Sequence, residues 1–163
     1  MVSIRPIVYD PQAVDYSLDA TFYRTALLLG LIRGDVVHRW VDEVIAQEAQ
    51  APAAFFEAAS IPPADLSALR HALWPLVVDP APTVVLARVL AVLHEDLVSG
   101  RRGLADTLTI VRQMRSMLRL PPDLYADLNA ALVAHAADPG GSAIAGWLHQ
   151  FAATNPAPRG SAS

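Results

Sequence analysis

Five histidines, His38, His71, His94, His135 and His149, are the residues of this 163-residue chain best suited to bind a metal or move a proton near neutral pH. Their spacing organises neither task. No His-Glu-x-x-His occurs, because His94-Glu95-Asp96 lacks the second histidine, and no Glu-x-x-His pair exists to build a carboxylate-bridged di-metal centre in a helical bundle. Asp35-x-x-His38 places two potential ligands on one helical turn, but Asp35 is also a natural helix cap. The serines fall at caps, turns and ends (Ser60, Ser99, Ser142) and no Gly-x-Ser-x-Gly elbow is present. Gly30-x-x-x-Gly34 joins two helical patterns rather than a strand and a helix, so it is not a phosphate loop. Gly100-Arg-Arg-Gly103 opens a helix and could hold an anion there, or could be a turn with solvated charges. The adjacent carboxylates Asp42-Glu43 and Glu95-Asp96 diverge on a helix and cannot share a proton.

Composition closes further routes. With no cysteine, thiol catalysis and cysteine-ligated zinc or iron–sulfur centres are excluded. All 12 basic residues are arginine, so there is no lysine for a Schiff base or a phosphate loop. A net charge of −4 and a pI near 5.6 argue against general nucleic-acid binding. The 53% apolar content and mean hydropathy of +0.33 exclude a disordered chain. No run reaches the roughly 18 apolar residues of a membrane span, and the first residues lack an apolar signal core. The expectation is a cytoplasmic protein with no membrane partner, no metal and no cofactor.

The elements that must position any surface are helical almost throughout. An extended arm is expected over residues 1–18, a helical domain over 19–153 and a disordered tail over 154–163. A first helix over 19–31 carries Phe22, Ala26 and Leu29 on one face, with Asp19 as its cap and Gly34 at its C′ position. The second, from Asp35 to about residue 50, buries Val37, Trp40, Val41, Val44 and Ile45 and pairs with the first as an antiparallel hairpin. Proline and glycine then punctuate six more: residues 53–59, one from Pro63 to Trp74, 82–99, 103–118, one opening at Pro121-Pro122, and one capped by Ser142. The fifth is apolar nearly all round, as the buried centre of a bundle would be. The fold class is therefore all-α, a compact single domain of about eight helices in antiparallel hairpins. The two Pro-Pro pairs stand 59 residues apart, with no tandem repeat signature.

Charge is the one feature that stands above this background. Residues 1–100 hold six arginines and twelve acids, while residues 101–163 hold six arginines and four acids. Asp42, Glu43 and Glu48 on the second helix, with Glu57 beyond, form an acidic face able to steer a basic partner. Arg112, Arg115 and Arg119 at i, i+3 and i+7 form a basic stripe on the sixth helix. Either set suits partner binding, and either is also an ordinary solvated face. Phe55-Phe56 points in two directions about 100° apart, so one ring is expected to stay partly exposed.

Residues 26–46 (ALLLGLIRGDVVHRWVDEVIA), a small-apolar helix, a glycine turn and a Trp-containing amphipathic helix, resemble the opening hairpin of small bacterial helical proteins of immunity type. Those proteins are found beside secreted toxins and neutralise them by binding. The resemblance covers about one-eighth of the chain and brings no functional residue with it. It implies a non-catalytic protein-binding module, monomeric or homodimeric, that occludes a cognate toxin. Two other classes remain open: a secretion chaperone or scaffold subunit with an apolar groove, and a ligand-binding protein or enzyme with a cavity converging on His94, Arg88 or His71.

Overall fold

The helices break where proline and glycine punctuate the sequence. The computed structural model describes residues 14–154. In it α1 spans Ser17–Leu28, α2 Gly34–Gln47, α3 Ala53–Ser60 and α4 Leu66–Ala72, followed by a 3-10 turn at Trp74–Leu76. Then come α5 (Pro82–Val98), α6 (Leu104–Met117), α7 (Pro122–Ala137) and α8 (Ser142–Thr154). Among the described residues there are eight α-helices and no strand, so the chain is all-α and compact, with helices packed in pairs. Residues 1–13 of the expected arm and 155–163 of the expected tail lie outside the described residues.

Several boundaries differ from the sequence expectation for identifiable reasons. α1 starts at Ser17, two residues before Asp19, so Asp19 sits in its first turn and is not its cap. Asp15 accepts the Ser17 N–H at 2.8 Å instead. α1 ends in a Schellman arrangement: Gly30 N–H bonds the Leu27 carbonyl and Leu31 N–H bonds that of Ala26. Gly30, with φ at +67°, is therefore the C′ residue, whereas Gly34 is already the first residue of α2. Arg33, not Asp35, occupies the N-cap of α2. The fourth helix starts at Leu66 rather than Pro63, because the Asp65 carboxylate accepts the Ala68 N–H at 3.0 Å and caps it there.

Two apolar clusters form the interior, and α1 belongs to both. Ala20 and Leu27 face a cluster with Val37, Val41, Phe55, Leu69 and Leu73 from α2 to α4. Phe22, Ala26 and Leu29 face the other, built from Val89, Leu90 and Leu93 of α5, Val111 and Met114 of α6, Leu128 of α7, and Ile144 and Leu148 of α8. At about 100° per residue these two sets lie on roughly opposite sides of α1. Accordingly α1 packs chiefly on α4, α5 and the 3-10 turn, while α2 packs chiefly on α3. α5 fills the second cluster and packs most closely on α8, but its ends project, with Val84 and Val98 exposed. Arg24 fastens α1 to the end of α4, donating to the Arg70 carbonyl at 2.7 Å with its guanidinium 4.2 Å from the Trp74 ring.

Ser17 joins the start of α1 to the approach of α5. Its buried hydroxyl donates to the Asp79 carbonyl (2.7 Å) and accepts the Val78 and Asp79 N–H groups (both 2.9 Å). Ser17→Ala strands two backbone donors and should cost about 1–3 kcal/mol in urea unfolding. A loss below a few tenths would show that water replaces the hydroxyl.

Candidate binding surface and the cleft beside it

The α2 surface follows from its apolar spacing. Val37, Val41 and Val44 turn inward, so Arg39, Asp42 and Glu43 turn out. Asp42 and Glu43 are exposed and have no hydrogen-bond or ion-pair partner among the described residues. Arg39 lies one helical turn before both, so the face is mixed in sign rather than uniformly acidic. Glu48, the C-cap residue, is half-buried beside the Tyr16 phenol. Burial first, then the nearby Glu48 carboxylate, push that phenol above its ordinary value. Glu48 is thus less open to solvent than Asp42 and Glu43, while Glu57 is exposed on the neighbouring α3.

The basic stripe is shorter than the spacing implied. Arg112 and Arg115 are exposed on α6, and Arg115 donates to the Asn129 side chain of α7 at 3.1 Å. α6 stops at Met117, which leaves Arg119 exposed in the following turn. The Gly-Arg-Arg-Gly turn holds its charges internally. Arg101 bonds Glu95 and Asp96 at 2.8 and 2.9 Å, and Arg102 donates to the Leu31 carbonyl at 2.7 Å, tying this turn to the end of α1. Asp35 is gripped by Arg33 through two hydrogen bonds (3.0 and 2.8 Å), the first cause of its lowered carboxyl pKa, and so is not offered to a metal beside His38. Among the described residues no group of three His, Asp or Glu is placed to hold a metal ion.

Beside Glu43 a cleft of about 230 Å³ opens between α1, α2 and α5, lined by Asp19, Tyr23, Trp40, Glu43, Gln47 and Arg88 among others. Tyr23 and Trp40 stack at 4.5 Å and 29° to form one wall. Arg88 pairs with Asp19 and lies 4.1 Å over the Phe22 ring, which fixes its guanidinium. Burial raises the Tyr23 phenol pKa; the Arg88 charge opposes this, and Asp19 and Glu43 add to it. A neutral phenol and a guanidinium already neutralised by a carboxylate can hydrogen-bond a guest, but they supply no nucleophile with its base. The volume is below the roughly 300–1,000 Å³ of ordinary small-molecule sites. Of the three residues on which a cavity was expected to converge, Arg88 lines the cleft, His71 is exposed on α4, and His94 faces His149 of α8.

The sequence carried a signal for this cleft. Arg88 is the one charge in the apolar first three turns of α5, and a charge in a packed helix needs a partner. Asp19 and Tyr23, at i and i+4, give α1 a polar edge beside its two apolar faces. A second depression, about 600 Å³ and open, runs between α7 and α8 over Ala131, Ala134, Ala143, Trp147 and Phe151. Comparison with protein-family models, with curated proteins and with solved structures finds no match for this chain.

Proposed function

We propose that this chain is a non-catalytic binding protein whose working surface is the exposed edge of α2 centred on Asp42 and Glu43. One observation carries the reading. Asp42 and Glu43 are consecutive exposed acids with no hydrogen-bond or ion-pair partner among the described residues, whereas the other consecutive acid pair, Glu95 and Asp96, is held by Arg101. Unpaired, exposed carboxylates raise the encounter rate with a basic surface. In its most concrete form the protein is an immunity protein that covers the basic active site or substrate groove of a toxin.

The test is the association rate with a partner captured from the source cells. Reversing both charges (Asp42→Arg with Glu43→Arg) should slow association about tenfold or more at low ionic strength and flatten its salt dependence. Both positions are solvent-facing, so the free energy of unfolding should stay within about 0.5 kcal/mol of the parent. An unchanged rate at low salt removes this surface from consideration. The α7–α8 groove favours a second reading, a chaperone or scaffold subunit that seats an apolar helix. Under that reading Ala134→Arg abolishes binding and the α2 reversal does not.

A further inference from the structure

His94 of α5 and His149 of α8 bring their rings to 5.5 Å between centroids, tilted by 48°. Each follows a fully buried leucine, Leu93 and Leu148, so both backbones are anchored by the second cluster while the imidazoles remain accessible, His94 in part and His149 openly. With metal–nitrogen bonds of about 2.0–2.1 Å, an ion sits about 3.2 Å from each imidazole centroid, and a tetrahedral angle sets the two centroids about 5.2 Å apart. The observed separation is within a few tenths of an ångström of that value, and the tilt is not that of a flat ring stack. Glu95, next to His94, is held by Arg101 at 2.8 Å, and no third His, Asp or Glu among the described residues completes the set.

We propose that His94 and His149 form a two-histidine site for a borderline transition-metal ion (Zn²⁺, Ni²⁺ or Cu²⁺), with water in the remaining positions, that clips α8 onto α5. Two imidazole nitrogens without carboxylate oxygen select these ions over Mg²⁺ and Ca²⁺. The site is independent of the α2 surface and joins the two helices that pack most closely. Binding only the folded chain, the ion raises its stability by mass action.

The experiment uses the tag-free full chain at pH 7.5 with zinc chloride, read by equilibrium dialysis and thermal unfolding. One zinc per chain is expected, with a midpoint rise of about 5 °C at saturating metal and none with magnesium. His149→Ala, at an exposed position, should keep the metal-free midpoint and lose both the zinc and the rise. His71→Ala should keep both. Nitrogen-edited NMR of the parent chain should show the His94 and His149 imidazole signals moving together on titration with zinc. Undiminished zinc binding by His149→Ala, no stoichiometric zinc at all, or shifts at the other histidines alone would overturn the proposal.

Discussion

Gly34→Ala is expected to destabilise the chain by about 3 kcal/mol or more, a large share of the roughly 5–15 kcal/mol that holds a typical domain folded. A Cβ at this position would stand 2.0 Å from the Pro63 carbonyl oxygen and 2.8 Å from its carbon. Both are backbone atoms, so no rotamer change relieves the overlap, and either α2 or the α3–α4 turn must move. That turn is itself closed by the Asp65 N–H on the Pro62 carbonyl at 2.9 Å. Two other glycines calibrate the result. Gly30→Ala meets no atom within 4 Å but carries φ at +67°, a left-handed strain of roughly 1–2 kcal/mol. Gly103→Ala meets neither obstacle. Urea unfolding should therefore rank Gly34→Ala as the most damaging, then Gly30→Ala, then Gly103→Ala near the parent. Equal midpoints for the Gly34 and Gly103 variants would mean that α2 does not begin against Pro63.

Phe55→Ala should cost about 3–5 kcal/mol, and Phe56→Ala less than about 1 kcal/mol. The two rings are neighbours in sequence but not in environment: Phe55 is 0% exposed and Phe56 is 54% exposed. Phe55 meets Tyr16 edge-on at 4.9 Å and Trp40 at 5.1 Å, and Trp40 in turn stacks on Tyr23. Truncating Phe55 removes transfer energy, leaves a cavity and breaks two aromatic pairs worth about 0.5–1.5 kcal/mol each. Because Trp40 borders the gap, its fluorescence should shift to the red in Phe55→Ala and stay unchanged in Phe56→Ala. Similar losses for both variants would place Phe56 in the core as well.

The all-α class and the run of eight helices were legible because proline, glycine and apolar spacing act locally. The split of Phe55 from Phe56 was legible too, since a helix turns neighbouring residues about 100° apart. What periodicity concealed was which faces meet. The near-uniform apolarity of α5 marked it as the centre, yet α1, with Thr21, Arg24 and Thr25 in its sequence, is the helix packed on two sides. Ala20 and Leu27 gave no visible second stripe because two small-to-medium residues a turn or two apart are common on any helix. Spacing alone marks the acidic face but cannot reveal that Glu48 is half-buried beside Tyr16 or that Arg39 shares the surface with Asp42 and Glu43. The Arg88–Asp19 pair spans 69 positions, a distance at which no local rule operates.

The double-sided α1 has a thermodynamic consequence. A rod whose opposite flanks complete two different interiors makes each interior a boundary condition for the other. Melting α2 to α4 away from α1 bares Ala20 and Leu27; melting α5 to α8 away bares Phe22, Ala26 and Leu29. Each interior therefore loses part of its lining when the other half leaves, which couples the two in unfolding.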